Sequence, residues 1–196
     1  MPRFSYFQKA FTLIELMIGL ALLAFLLVLA MPNFAAMLHN MKIRATADSI
    51  TQGLQVARSE ALKRNKVVEF VLTSDNPDPD GVAGYAIAAA GPNWAIRSVE
   101  GPGAYAFIEG RSVSEGSTGT QPAVQADNAG LIAFNSFGTL TPATAVLIAV
   151  SNPSGGACKT ASGDEPMRCL NIAITSAGQV RMCDPSVDAA GDTRRC

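Results

Sequence analysis

Residues 11–31 read FTLIELMIGLALLAFLLVLAM, and this stretch decides the fold. Thr12 and Glu15 alone interrupt its apolar character, and residues 16–31 carry no charge. In a helix each residue adds about 1.5 Å, so a run of this length spans roughly the 30 Å of a bilayer hydrocarbon core. The stretch therefore predicts a membrane-spanning helix near the start of the chain.

The residues around this run predict its orientation. Arg3 and Lys9 precede it, and no acidic residue does. The positive-inside rule then keeps residues 1–10 in the cytoplasm and sends the following chain across the membrane. A secretory signal peptide is one alternative, but residues 31–36 (MPNFAA) do not match the small-residue pattern expected at its cleavage site. A plain membrane anchor is the other alternative.

Glu15 argues against both alternatives, because an unpaired carboxylate inside an apolar span costs a few kcal/mol. Residues 9–16 (KAFTLIEL) resemble the class III signal of type IV pilins and type II secretion pseudopilins. The resemblance implies that prepilin peptidase cuts between Ala10 and Phe11 and that the new amine of Phe11 is methylated. Most relatives have Gly where this chain has Ala10. The resemblance also implies that Glu15 meets the amine of a neighbouring subunit during assembly, so that two buried charges neutralise each other.

A second, amphipathic half of the helix follows the apolar run. Pro32 interrupts the helical pattern and should kink the helix, and the family commonly has a proline at this place. Beyond it, apolar residues recur at a period near 3.5 on one helix face. These residues are Ile43, Ala47, Ile50, Leu54, Ala57 and Ala61. The pattern predicts one long helix over residues 12–64, with a lipid-facing first half and a second half packed on a globular head.

Residues 57–65 (ARSEALKRN) carry a second resemblance, to the signature of the GspH/FimT group of minor pilins and pseudopilins. Lys63 and Arg64 suit the negative end of the helix dipole, and Asn65 suits a carboxyl-terminal cap. The motif thus has a structural explanation, and we expect no catalytic role for it. The resemblance implies a structural minor pilin whose long helix packs against two antiparallel sheets.

The chain beyond residue 66 predicts an antiparallel β head. Apolar and β-branched segments alternate with Gly, Pro and Asn turns, and no helical pattern separates them. The predicted strands cover residues 67–73, 84–89, 94–99, 105–108, 131–134, 145–150, 170–175 and 179–183. Residues 110–130 are rich in Gly, Ser and Thr and predict a long loop. The fold class is α+β: a long amino-terminal helix, half transmembrane and half amphipathic, packed on a two-sheet head as in pilins.

Four cysteines lie in the last 39 residues: Cys158, Cys169, Cys183 and Cys196. An exported head meets an oxidising compartment, so disulfides are expected. The two local pairs, 158–169 and 183–196, are favoured among the three possible pairings. The main competitor pairs 169 with 183 and 158 with 196, because a hairpin over residues 170–183 would bring the middle two together. The cysteine spacings do not suit a zinc site, so we expect no metal there.

Three arginines in the tail, Arg181, Arg194 and Arg195, are the candidate DNA contacts, since some FimT-like relatives bind DNA through a basic tail. Asp184, Asp188 and Asp192 oppose them, and no aromatic residue follows Phe137 to stack on bases. A solvated surface is the favoured reading of this tail. Residues 75–81 (DNPDPDG) resemble half a calcium loop, but two prolines and a missing distal Glu favour a plain turn.

The composition argues against several classes of protein. The 15 Lys and Arg against 16 Asp and Glu do not suit a bulk nucleic-acid binder. One His, no CxxC pair and no glycine-rich phosphate loop argue against a zinc enzyme, a Ser-His-Asp enzyme or a nucleotide-binding enzyme. We therefore expect no enzyme and no cofactor.

The sequence thus predicts a three-part chain. A leader (1–10) is cleaved, an inner-membrane transmembrane and assembly helix (11–38) follows, and a periplasmic head (39–196) carries the cysteine-rich region. The expected role is a minor pilin that primes or joins a type IV pilus, with other pilins or pseudopilins, prepilin peptidase and inner-membrane lipid as partners. The alternatives are a DNA-binding minor pilin for natural transformation and a type II secretion pseudopilin for protein export.

Overall fold

A computed structural model of the protein describes residues 11–112 and 122–196, with the side chains of residues 28–33 outside that description. The predicted leader and the middle of the predicted loop over residues 110–130 lie outside the described residues. The chain divides into two compact units, Met1–Ala35 and Ala36–Cys196. Across the described ranges, no helix combines the length and the apolar character needed to cross a membrane. The membrane span over residues 11–38 stays a prediction.

Helix α1 spans Leu13–Arg64, and a local signal sets its end. Asn65 adopts the left-handed conformation, with φ at 52°. The N–H of Lys66 then donates to the carbonyl of Ala61 at 3.4 Å, which closes the Schellman pattern at the helix end. The predicted cap at Asn65 is confirmed.

The predicted buried face of α1 forms the centre of the head. Its six apolar residues are all 0 or 1% exposed: Ile43, Ala47, Ile50, Leu54, Ala57 and Ala61. They belong to one core cluster that also contains Phe70 and Phe134 from one sheet and Ile148 and Ile172 from the other. The small alanines let both sheets approach the helix closely, and the predicted packing is confirmed.

Eight strands form the two sheets of the head. They are β1 (Val68–Thr73), β2 (Asn93–Gly101), β3 (Ala104–Arg111), β4 (Ala123–Ala126), β5 (Leu131–Phe134), β6 (Val146–Ser151), β7 (Leu170–Ile174) and β8 (Val180–Cys183). The first sheet has the order β3-β2-β1-β5 and the second β4-β6-β7-β8. Every paired neighbour is antiparallel, as predicted from strands that follow one another without helices between them.

The strand predicted over residues 84–89 is wrong. This segment is irregular, and within it only Ile87 forms a bridge, to Thr73. Strand β1 pairs with β2 along one edge and with β5 over Val68–Val71 on the other, so only its last two residues are left for this segment, and the N–H of Ala88 donates to the carbonyl of Leu72 there. Tyr85 is instead 7% exposed and packs with Val71 and Ala95 on the outer face of the first sheet. The apolar residues of this segment therefore cover a sheet rather than extend one.

The loop predicted over residues 110–130 is also partly wrong. Strand β3 continues to Arg111, and β4 occupies residues 123–126. In β4 the side chains of Val124 and Ala126 are buried, at 4 and 3% exposed, while the alternate residues face outward. The sequence Ala-Val-Gln-Ala is short and has no large apolar residue, so its strand signal is weak and its pairing with β6 decides the conformation.

Candidate assembly site

The first unit presents a continuous apolar surface, which we call the assembly segment (residues 11–27). Its large apolar side chains are 55–82% exposed. They are Phe11, Leu13, Ile14, Leu16, Met17, Ile18, Leu20, Leu22, Leu23, Phe25, Leu26 and Leu27. A contiguous apolar surface of this kind marks a contact with other proteins or with lipid, because water is a poor solvent for it.

Glu15 is the one charged residue of the assembly segment, and the structure gives it a local role at the helix start. The hydroxyl of Thr12 accepts a hydrogen bond from the backbone N–H of Glu15 at 3.3 Å. Thr12 thus caps α1, and Thr-x-x-Glu is the capping-box pattern, a signal that the reading of the sequence missed. At this position a carboxylate also favours the positive end of the helix dipole.

A shallow depression surrounds Glu15 on the same unit. Its volume is about 380 Å³, and it is lined by Phe11, Glu15, Leu16, Gly19, Leu20 and Leu23. A side chain at Gly19 would meet no atom within 4 Å, so the helix surface one turn beyond Glu15 is open. The structure therefore places Phe11 and Glu15 beside one accessible recess.

The remaining residues predicted for processing and assembly are only partly described. Ala10 lies outside the described residues, so the cleavage site is not part of the described geometry. Pro32 lies inside α1, but its side chain is not described. Cleavage before Phe11, its methylation and the kink at Pro32 stay predictions.

Arg58, in the ARSEALKRN motif, binds the head from the helix side. Its Nε donates to the carbonyl of Gly138 at 3.1 Å. Gly138 and Gly178 lie in turns from the two sheets and have φ values of 72° and 76°. A Cβ on Gly178 would stand 2.0 Å from the carbonyl oxygen of Gly138, so this close approach requires glycine. Arg58 thus binds the turn at Gly138 to α1, and the turn at Gly178 packs against it, a role that the sequence alone did not reveal.

Glu60, in the same motif, pairs with two cations of the last helical turn. Its carboxylate accepts from Arg64 Nε at 2.6 Å and from Lys63 Nζ at 3.2 Å. The hydrogen bond from Arg64, followed by that from Lys63, holds the pKa of Glu60 below its usual value. The motif therefore contributes packing, capping and local charge pairing.

The structure pairs Cys158 with Cys169 and Cys183 with Cys196, the two local pairs that the sequence favours. The first disulfide closes a loop that is bound to the helix. Asn40 on α1 donates its amide to the carbonyl of Pro166 at 3.0 Å and accepts from the N–H of Arg168 at 2.7 Å. The second disulfide ties the last residue of the chain to β8. Each disulfide stabilises the folded state by about 3 kcal/mol, because the closed loop restricts the conformations of the unfolded chain.

The tail arginines differ in how far their charge is offset. The guanidinium of Arg194 donates to both carboxylate oxygens of Asp192, at 3.2 and 2.8 Å. This bond is the main reason why the pKa of Asp192 falls to about 2. Arg181 donates to the main-chain oxygen of Cys196 at 3.4 Å, and Arg195 forms a backbone bridge with Asp184. DNA contact by Arg181, Arg194 and Arg195 stays a prediction.

In the acidic stretch at residues 75–81, aspartate side chains accept hydrogen bonds from nearby backbone N–H groups. Asp78 accepts from the N–H of Gly81 at 2.7 Å, and Asp75 accepts from the N–H of Ala86 at 2.6 Å. Among the residues that the structure describes, no group of His, Cys, Asp and Glu is arranged to hold a metal ion. The stretch is a turn stabilised by its own carboxylates.

Two protein-family models match the chain. One, described as a prokaryotic N-terminal methylation motif, covers residues 7–31. The other, described as type II transport protein GspH, covers residues 46–195, which is more than half of the chain. The chain belongs to the GspH family. The prediction of a minor pilin or pseudopilin of the GspH/FimT group is therefore confirmed for this GspH-family chain.

Solved structures resemble this GspH-family chain in fold. The type IV minor pilin FimU of Pseudomonas aeruginosa (strain PAO1), in space group P21, matches with a TM-score of 0.51 and 19% identity over 71% of this chain and 87% of FimU. A second crystal form of FimU, in space group P65, has a TM-score of 0.49 and 19% identity, over 71% of this chain and 90% of FimU. The minor pseudopilin EpsH from the Type 2 Secretion System of Vibrio cholerae has a TM-score of 0.46 and 13% identity, over 74% of this chain and 99% of EpsH. No curated protein matches the chain. The predicted fold, a long helix on an antiparallel two-sheet head, is confirmed.

Proposed function

We propose that this chain is a minor subunit of a type IV pilus and enters the filament through its assembly segment. The exposed apolar surface of residues 11–27 is the observation that carries the proposal, because such a surface has to be covered by other helices or by lipid. Before assembly the chain is held in the inner membrane, with the head in the periplasm. The proposal assigns it no catalysis.

The chemistry at the mature end supports this role. Cleavage between Ala10 and Phe11 frees an amine whose ordinary pKa is about 8, so it is mostly cationic at neutral pH. Glu15 lies four residues further on, beside the recess that Phe11 also lines. In hydrocarbon, an amine and a carboxylate from two subunits are each costly alone and stabilise each other when paired. Pairing would therefore couple processing to assembly.

A pseudopilus of a type II secretion system is the second candidate. The description of the matching family model, type II transport protein GspH, favours it. The two machines use different partner proteins, so the proteins that co-purify with the chain from its own cells decide between them. Co-purification with secretion components in place of pilins would contradict the pilus assignment.

Processing is tested by the mass of the mature chain. The expected product begins at a methylated Phe11. A product that begins after residue 30 would contradict the assignment, because a secretory signal peptide would then have been removed with the assembly segment.

Assembly is tested by competition between variants. Glu15→Val is expected to remain inserted and cleaved but to enter filaments poorly when it is expressed together with the unmodified chain. Asp48→Asn is the matched control, since it removes a carboxylate from the same helix where only an exposed pair with Arg44 is lost. Equal incorporation of the Glu15 variant would refute the proposed pairing.

A further inference from the structure

A groove in the head lies between α1 and the turn that joins β7 to β8. Its volume is about 490 Å³. The residues that line it are Gln55, Arg58, Thr175, Gln179, Val180 and Arg181. Two of these are cations, and the amides and the hydroxyl among the others can also bind a polar ligand.

The two arginines of the groove differ from most cations of the head. Within residues 11–112 and 122–196, neither Arg58 nor Arg181 is paired with the side chain of an Asp or Glu. Each makes one hydrogen bond to a main-chain oxygen, Arg58 to that of Gly138 and Arg181 to that of Cys196. A guanidinium has five N–H donors, so most donors of both groups remain available. The groove therefore suits a carboxylate, which binds guanidinium strongly.

An exposed apolar spot adjoins the groove. Phe137 is 81% exposed and Leu62 is 50% exposed. Gly138 connects this spot to the groove, because a Cβ there would lie 3.3 Å from both methyl groups of Leu62 and 3.2 Å from Nε of Arg58. Aromatic residues and arginine are enriched at the centres of protein interfaces, where they supply most of the binding energy.

We propose that this combined surface, formed by Arg58, Leu62, Phe137 and Arg181, docks an acidic segment from the head of a neighbouring pilin subunit. A carboxylate of that segment binds Arg58 and Arg181, and an apolar side chain beside it packs on Phe137 and Leu62. The inference rests on the proposed function, since it requires that the chain lies next to other subunits.

A protein partner suits this surface better than DNA. Neutralisation of two phosphates supplies little of the affinity that DNA-binding proteins draw from about 6–10 such contacts. Arg194, another arginine of the tail, has its charge offset by Asp192, so it adds little to a basic patch. A phosphate backbone also leaves an exposed Phe and Leu uncovered, whereas a peptide segment can bury both.

The test uses the full chain in cells that assemble the filament, with a photoreactive phenylalanine analogue at position 137. Irradiation is expected to link this position to another subunit that carries an amino-terminal methylation motif, through a peptide that contains Asp or Glu. Arg181→Glu is expected to lower the yield about fivefold or more, because a like charge then faces the carboxylate.

Arg168→Glu is the matched control. Arg168 is also an exposed arginine near a disulfide, and its backbone N–H donates to Oδ1 of Asn40. It does not line the groove, so the control should keep the cross-linking yield of the unmodified chain. Equal loss in both variants would show a general charge effect and would overturn the docking site.

Further outcomes of the cross-linking experiment separate failure of the docking site from failure of the proposed function. A cross-link to DNA, or none to a subunit while the chain still sediments with filaments, overturns the docking site and leaves the proposed function standing. Absence of the unmodified chain from filaments and from any complex with pilins overturns both. A cross-link to a subunit that Arg181→Glu does not weaken refutes the carboxylate contact.

Discussion

Gly53→Ala is expected to destabilise the head, although the same change usually stabilises a helix. Ala is better than Gly by about 1 kcal/mol inside a helix. Gly53, however, faces the stacked rings of Phe70 and Trp94, whose centroids lie 5.5 Å apart. A Cβ there would stand 2.9 Å from Cε2 of Phe70 and 3.0 Å from Cζ3 of Trp94. Overpacking of a closed core costs about 1–3 kcal/mol, so the expected net loss is about 1 kcal/mol.

Trp94 is the single tryptophan of the chain, so its fluorescence reports the unfolding of the head directly. In a domain of this size a loss of 1 kcal/mol lowers Tm by about 2–4 °C. Gly19→Ala is the control, because a side chain there meets no atom within 4 Å and should leave the Trp94 transition unchanged. Phe70→Leu should cost less in the Gly53→Ala background than alone, since it removes the clashing ring. A rise in Tm for Gly53→Ala would refute this account of the helix–sheet contact.

Two further predictions concern charges. Glu69→Met should lower the free energy of unfolding in urea by about 3 kcal/mol, because the buried guanidinium of Arg97, whose Nε lies 2.8 Å from the carboxylate of Glu69, then has no anionic partner. The double variant with Arg97→Met should lose less than Glu69→Met alone. Arg194→Gln should raise the pKa of Asp192 from about 2 towards 3.8 in an NMR titration. A pKa lowered by folding stabilises the folded state above pH 3.8, and this contribution is lost as the pH falls from 3.8 through about 2, so the stability of the unmodified tail should decline over that range. In Arg194→Gln the pKa of Asp192 lies closer to its unfolded value, so the variant should lose less stability over the same range.

Local patterns of the sequence account for most of the helix. The period of Ile43, Ile50 and Leu54 identified the buried face, and Asn65 identified the helix end. These features depend on groups within one or two turns of each other, so their signal is complete in a short window. The cap at Thr12 was available in the same way, from the Thr-x-x-Glu pattern, and was overlooked.

The strands show where a local pattern stops being informative. The sequence predicts a strand over residues 84–89 and a loop over residues 123–126, and the structure has the reverse. The first segment has larger apolar residues and the second has small ones, so the local pattern favours the wrong segment. A strand needs a neighbour with unpaired backbone groups, and neither segment contains that information. Strand β1 is paired with β2 on one edge and with β5 over most of the other, whereas one whole edge of β6 is open to β4.

The role of Arg58 was hidden for a similar reason. Its partner, Gly138, lies 80 residues away, and the turns around Gly138 and Gly178 meet only after both sheets have formed. The groove that Arg58 shares with Arg181 likewise forms only when α1 packs against the turn between β7 and β8.

Residue order alone determined that this chain has an apolar helical stem with one acid near its start, a long amphipathic continuation and a β head, since each follows from short-range periodicity and composition. Only the tertiary structure decided which segments became strands and which arginines share a groove. Those outcomes depend on backbone edges and charges that come from different parts of the chain and exist together only once it has packed.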